Sequence, residues 1–361
     1  MKKIIILTAG FGEGHNSAAR GIRDGLQEAA PQISAEIHDI FNETYGWANR
    51  LTCRGYLAAI HRAPNFWETI YRAIDAREHQ HYRVSLRWLF FAEWRLARLI
   101  AREQPSALVC VYPAYGHMLD TIYGRTNGHG PKRVVTITDS RTVNAIWFRC
   151  SADHFLVANE PTARILREAG VDHAPLHSLG FPVSPRFAAL PVRRPGPPWR
   201  ILVMANNRPV DDLARRLLAI PDIQLTVMAG RDRKAHRKLA ALQRETTRPF
   251  DIFGWTDELP GLFGSHHLLI GKAGGATVQE AAAARLPMII NQIVPGQEEG
   301  NAQLMTDSNS GVVALSNEET TAAVSSALAN DARPLRAWSE NIAAISQPGA
   351  SLRIAKFLRD L

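Results

Sequence analysis

Apolar and polar positions alternate along this chain in two rhythms. Short aliphatic and β-branched runs at 3–8, 34–40, 107–112, 133–138 and 154–158 read as buried strands. Between them the apolar spacing widens to three and four residues, the period of amphipathic helices, as at 17–29 and 161–169. A strand, a helix and another strand in succession imply a parallel sheet covered on its faces, since a helical crossover brings the chain back to start the next strand in the same direction. The rhythm stops at PVRRPGPPW, where four Pro and a Gly fall within residues 191–199. It resumes with strand candidates at 200–204, 224–229, 250–253, 268–270, 288–290 and 312–314. The pattern predicts an α/β protein with two Rossmann-like halves. Residues 1–190 form the first half, 191–199 a hinge and 200–340 the second half, while a helix in 341–361 packs back on the first. Open parallel sheets bind ligands outside the carboxyl ends of their strands, so two such halves facing each other place a substrate cleft between them.

Composition narrows the class without naming a reaction. At 361 residues, 46% hydrophobic and 21% charged, the chain can bury two cores, and disordered, collagenous and coiled-coil classes are excluded. No apolar run reaches the roughly 20 residues of a membrane-spanning helix, and the start lacks a signal peptide's long apolar stretch, so a cytoplasmic location is expected. Cys53, Cys110 and Cys150 lack CxxC spacing and read as core thiols rather than a disulfide framework or zinc site. The net charge of +8 is unevenly spread: residues 50–103 hold ten Arg against five acids. Tyr56, Phe66, Trp67, Tyr71, Tyr82, Trp88, Phe90, Phe91 and Trp94 lie in the same stretch. Arg mixed with aromatics suits an anionic headgroup layer; a helical hairpin with a solvated basic face is the plainer alternative. No nucleic-acid motif accompanies it, which excludes that class.

Chemistry is sought in the loops that follow strands. GFGEGH (10–15) is neither a Walker loop nor a complete dinucleotide fingerprint. Gly12 and Gly14 allow close approach of an acceptor, and a helix starting near Asn16 offers free N–H groups. His15 then has two readings, a general base for a hydroxyl or a cap on the first turn. Asp139, after the strand RVVTIT, orients that imidazole, contacts the acceptor or caps a turn. In the second half, GKAGG (271–275) precedes a helix expected from Thr277, where Gly274 and Gly275 leave room for a diphosphate. Glu280 either closes a capping box with Thr277 or accepts hydrogen bonds from a ribose. Gln297, Glu298 and Asn301 in PGQEEGN supply donors and acceptors suited to sugar hydroxyls.

Taken together, these segments resemble the lipid glycosyltransferases that include plant and bacterial monogalactosyldiacylglycerol synthases and processive diacylglycerol glucosyltransferases. More distantly they resemble the N-acetylglucosaminyltransferase of peptidoglycan lipid intermediates. The resemblance rests on GFGEGHNSAA, VTITDSRTVNAIW, LGFPVSPRF and above all GKAGGATVQEAAAARLPMIINQIVPGQEEGN. It implies the GT-B fold, an acceptor site in the first half, a UDP-sugar site in the second, inversion at the anomeric carbon, and neither cofactor nor metal. Gly274, Gly275, Ala276 and Thr277 would then face the diphosphate, Glu280 the ribose, Gln297, Glu298 and Asn301 the sugar, and Trp255 in GWTDELP the uracil, with His15 as base. The chain departs from the family at Ala205-Asn206-Asn207-Arg208, where a glycine-rich loop is usual and side chains such as Asn206 would reach the diphosphate instead. It departs again at Asn144, near where bacterial members often have a His, and at His266-His267, which replaces an Ala-Asp pair and does not read as a metal site. The expected partners are a UDP-hexose, a lipid acceptor such as diacylglycerol, and the anionic inner membrane surface met through residues 50–103. A UDP-sugar 2-epimerase, a transferase with a soluble acceptor and a non-catalytic nucleotide-sugar-binding module remain as alternatives.

Overall fold

A computed structural model describes residues 2–62, 89–124, 130–193, 195–206 and 208–361. The chain forms two compact units. One comprises Met1–Pro185 with Val294–Gly300 and Gly349–Leu361; the other comprises Arg186–Ile293 and Asn301–Pro348.

The first unit is built on a six-stranded, all-parallel sheet with the order β2-β1-β3-β4-β5-β6. Its strands are β1 Lys3–Leu7, β2 Ser34–His38, β3 Ala107–Cys110, β4 Lys132–Thr136, β5 His154–Val157 and β6 Leu176–Ser178. β1, β3, β4 and β5 are buried almost throughout, which explains their continuous apolar runs. Helices α1 Glu13–Ala29, α2 Ile40–Tyr45, α3 Trp47–Arg62, α4 Phe90–Glu103, α5 Ala114–Tyr123 and α6 Glu160–Glu168 connect and cover the strands. The helix at the end of the chain, Ala350–Asp360, lies on α1: a Cβ added to Gly25 would stand 2.5 Å from the Ser351 carbonyl oxygen. Lys2 Nζ donates to the carbonyls of Leu358 and Arg359 at 3.1 and 2.9 Å, fixing both chain ends to one place.

The second unit carries another six-stranded parallel sheet, order β12-β11-β10-β7-β8-β9. Its strands are β7 Trp199–Met204, β8 Ile223–Gly230, β9 Asp251–Gly254, β10 Leu268–Lys272, β11 Met288–Gln292 and β12 Gly311–Val313. The helices are α7 Val210–Leu218, α8 Arg233–Glu245, α9 Leu259–Ser265, α10 Gly275–Ala283, α11 Glu299–Asp307 and α12 Asn317–Ile345. The last has a break at 329–332, followed by Pro334; the helix at Ala350–Asp360 is α13. The hinge is firmer than its Pro content suggests. Arg193 donates to the carbonyls of Phe263, Gly264, Ala284 and Arg285, and Trp199 already belongs to β7.

Strand order reverses between β1 and β3 in the first sheet and between β7 and β10 in the second. At such a reversal the two following loops leave in opposite directions and open a crevice at the carboxyl edge. The candidate chemistry falls at both.

Candidate functional site

In the first unit the loops after β1, β2 and β3 are fastened together by one phenol. Tyr115 donates to the Thr8 carbonyl at 2.7 Å and accepts from the Ile40 amide at 3.0 Å. Asp39, after β2, accepts from the Gly10 amide at 3.0 Å and caps α2 through Asn42 at 2.9 Å; burial raises its pKa against the pull of those two amides. Gly12 precedes α1 at φ 157 and ψ 148, a conformation that a side chain would strain.

α1 begins at Glu13, not near Asn16, so His15 lies in the first turn of the helix rather than at the tip of a loop. Its ring is half-buried, edge-on to Tyr112 with 5.2 Å between centroids and 5.9 Å from Trp147. Thr138 Oγ1 stands 3.1 Å from His15 Nδ1, and the Val111 carbonyl accepts from the ring. Burial lowers the His15 pKa to about 4 and outweighs the Val111 hydrogen bond, so the imidazole is neutral at pH 7. The expectation that Asp139 orients this ring is corrected. Asp139 accepts from the Trp147 indole N–H at 2.7 Å, and the side chain on the His15 ring is that of Thr138, one residue earlier. Burial pushes the Asp139 carboxyl up to about 6 despite the indole hydrogen bond. Asn144 caps the short 3-10 turn Ala145–Trp147 that presents the indole.

The second unit gathers its polar groups around β10 and β11. α10 begins at Gly275 with Gly274 as its cap, two residues before the expected start. The first helical hydrogen bond runs from Val278 N–H to the Gly274 carbonyl, so the amides of Gly275, Ala276 and Thr277 precede the ladder. Thr277 is therefore inside the helix and caps nothing, which removes the capping-box reading of Glu280; that carboxylate is a buried helical residue. Asn206 donates to Asn291 Oδ1 at 2.8 Å and accepts from the Arg208 amide, so it shapes the β7 loop through its own side chain. Asn301 Nδ2 donates to the Ala273 carbonyl at 3.1 Å. Trp255, after β9, is 52% exposed beneath the guanidinium of Arg231.

The PGQEEGN turn is divided. Gln297 and Glu298 belong to the segment that groups with the first unit, where the Gly300 amide donates to Thr142 Oγ1 at 3.1 Å, while Asn301 belongs to the second. The Glu298 carboxylate folds back on the Val294 amide at 2.9 Å. His266 and His267 are buried and structural: His266 reaches Thr226 and the Leu262 carbonyl, and His267 accepts from the Arg200 amide. Of the basic aromatic stretch, residues 63–88 and the Tyr56 side chain lie outside the described residues. Phe90, Phe91 and Trp94 on α4 are exposed, as are Trp47 and Leu51 on α3. Among the described residues no helix is long and apolar enough to cross a membrane. Sequence reasoning passed over Tyr112, Thr138, Asp39 and Asn291. Their one visible signal was position, at or just beyond the end of an apolar run.

Residues 15–183 match the monogalactosyldiacylglycerol (MGDG) synthase family model, and residues 205–352 match the glycosyltransferase family 28 C-terminal domain. The chain is 25% identical to Arabidopsis thaliana monogalactosyldiacylglycerol synthase 3, over all of this chain and 82% of that one. It is also 25% identical to the Bacillus subtilis processive diacylglycerol beta-glucosyltransferase, over 91% of this chain and 88% of that one. Acinetobacter baumannii MurG shares the fold, with a TM-score of 0.65 at 14% identity and full coverage of both chains. The two parallel sheets and their switch-point loops thus define a glycosyltransferase of the GT-B class. Within that class, its first half matches the monogalactosyldiacylglycerol synthase model, its second half matches the glycosyltransferase family 28 C-terminal domain, and its homologues are monogalactosyldiacylglycerol synthases and processive diacylglycerol glucosyltransferases.

Proposed function

We propose that the protein transfers a hexose from a UDP-sugar to a hydroxyl of a membrane lipid, diacylglycerol or a related glycolipid, inverting the anomeric carbon without a metal. The observation that carries the reading is the His15 ring at the first sheet's switch point, edge-on to Tyr112 and beside Trp147, with burial holding its imidazole neutral. A base must be unprotonated to act, and the aromatic rings beside it offer an apolar surface to the acceptor. The acceptor oxygen forms its bond to the anomeric carbon as the bond to UDP breaks; the hydroxyl proton passes to His15 and the bonding pair leaves with UDP. Asp139 acts through Trp147 and balances the imidazolium as it forms. In the second unit the amides of Gly275, Ala276 and Thr277 take the diphosphate, Glu280 the ribose, Trp255 the uracil and Asn301 the sugar; Gln297 and Glu298, on the segment that groups with the first unit, are the other residues assigned to the sugar.

Docking on an anionic membrane is part of the same reading. Phe90, Phe91 and Trp94 are exposed on the helix that also carries Arg95, Arg98 and Arg102, a composition suited to entering a headgroup layer. The test is a panel of UDP-sugars with and without anionic vesicles containing diacylglycerol, followed by product analysis. A glycosylated lipid is the expected product. Epimerisation of UDP-N-acetylglucosamine in the absence of an acceptor would replace transfer with the epimerase reading. His15→Ala should lower turnover by about 100-fold or more while UDP binds as before; loss of UDP binding instead would remove His15 from the role of base.

A further inference from the structure

The second unit contains a cation that the donor site as described does not use. Lys272 is the last residue of β10, directly at the switch point. The pairing of β10 with β11 slips by one residue between Gly271 and Lys272, so that Lys272 stands opposite Gln292. Such a bulge re-aims the side chain that follows it. The consequence is visible at the cap of α10. A methyl group added to Gly274 would lie 3.7 Å from Lys272 Nζ and 3.6 Å from Thr277 Oγ1. The ammonium therefore folds over the glycine that opens the helix, beside the amides that precede its hydrogen-bond ladder.

A second feature of the same loop points to a ligand independently of the helix end. Asn301 is 4% exposed and grips the Ala273 carbonyl, between Lys272 and Gly274, through Nδ2. Its Oδ1 is buried with no hydrogen-bond partner, and so is Oε1 of Gln292. Leaving a buried acceptor unpaired costs on the order of 1–3 kcal/mol, so two of them beside one glycine loop mark a place that a donor-bearing molecule fills. Around this loop lie two acceptors for hydroxyls, a set of amides and an ammonium. That combination matches a glycosyl diphosphate, with polyol at one end and phosphate at the other.

We propose that Lys272 is the cation of the donor site, its ammonium pairing with the diphosphate and neutralising the charge that builds on the departing nucleotide as the glycosidic bond breaks. The assignment rests on the UDP-sugar reading given above. Lysine suits the task because its charge is compact and its stem can follow a phosphate between ground and transition state. The nearby amides alone supply about half a positive charge, against the full negative charge that develops on the leaving group.

Binding of UDP and of uridine, measured by calorimetry on the full chain and on Lys272→Met, separates the possibilities. Loss of the ammonium should weaken UDP by at least about tenfold, as expected for a charge-assisted contact, and leave uridine within about twofold. The affinity of the wild type for UDP should fall more steeply with added salt than that of the variant, and Lys272→Arg should recover part of the loss. Equal UDP affinity in Lys272→Met and wild type would overturn the assignment while leaving the nucleotide-sugar reading intact. Equal losses of UDP and uridine in both Lys272→Met and Lys272→Arg would also overturn it, because the residue would then be holding the loop rather than the phosphate. A wild type that binds neither compound would remove the UDP-sugar reading and the role of Lys272 with it.

Discussion

At the scale of single residues, burial works against the charged forms of two ionisable groups in the first unit. Burial lowers the His15 pKa to about 4 and raises that of Asp139 to about 6. Asp139 in the folded state thus keeps its proton over a window, from about 3.8 to about 6, where the unfolded chain has lost it. Stability falls as pH rises through that window, and the loss is complete above it. Asp139→Asn should therefore raise the stability of the first unit at pH 7 by at most about 3 kcal/mol, with the gain vanishing near pH 4. Thermal melts at both pH values check this. If Asp139 balances the His15 imidazolium, the same variant loses turnover and its kcat/KM profile loses the inflection near pH 6; an unchanged profile would leave Asp139 with a structural role only. Most of the residues that surround His15 were hidden from sequence reasoning by one systematic error. The apolar runs extend up to two residues past the hydrogen-bonded strands, to 112, 138 and 40 instead of Cys110, Thr136 and His38. Tyr112, Thr138 and Asp39 were counted as strand when they lie one or two residues into the loops that follow. A buried loop start and a buried strand end have the same hydrophobicity, so periodicity cannot separate them.

At the scale of elements, glycine decides how closely α1 and α13 approach. A Cβ on Gly25 would stand 2.5 Å from the Ser351 carbonyl oxygen, and one on Gly21 would stand 1.8 Å from that of Pro182. Alanine at mid-helix normally gains up to about 1 kcal/mol over glycine, but overpacking against a backbone that cannot yield costs about 1–3 kcal/mol. Gly25→Ala is thus expected to destabilise the first unit on balance, whereas Gly14→Ala, in the same helix with nothing within 4 Å of its added methyl, should stabilise it by a few tenths of a kcal/mol. Opposite shifts in urea midpoint at constant slope check the pair; a stabilised Gly25→Ala would show that α13 moves away freely. Among the described residues, eleven of the twelve strands were legible as apolar runs. The exception, Leu176–Ser178, is a three-residue edge strand with one apolar side chain and too short to show a period. Both glycine-rich helix starts were placed too late because glycine weighs against helix in any propensity argument, while here the glycines open the first turn where a ligand would meet bare backbone.

At the scale of the whole molecule, the division into two sheets was legible, but the path of the chain between the units was so only in part. The chain crosses between the units at 185–186, a few residues before the Pro-rich stretch, which itself belongs to the second unit, and the return before α13 answers to the helix expected in 341–361; the crossings at 293–294 and 300–301 went unread, the second because it falls inside α11 where no turn residue marks it. Cutting the chain at the hinge therefore does not yield two independent pieces. A fragment ending at residue 190 loses α13, whose Ala350, Ile354, Ala355 and Leu358 are fully buried. It should lose cooperative unfolding, as read by near-ultraviolet circular dichroism during a urea titration, and a native-like transition in that fragment would show that α13 is dispensable. The clasp of Lys2 on the carbonyls of Leu358 and Arg359 suggests another arrangement of the same sequence. With the two ends so close, a short tether can join residue 361 to residue 2 while new termini are opened within 191–199. The second unit would then be translated first, and α13 would run directly into β1. Gene order and domain order are separable in this fold, and the permuted chain would carry nearly all of the first unit as one uninterrupted stretch.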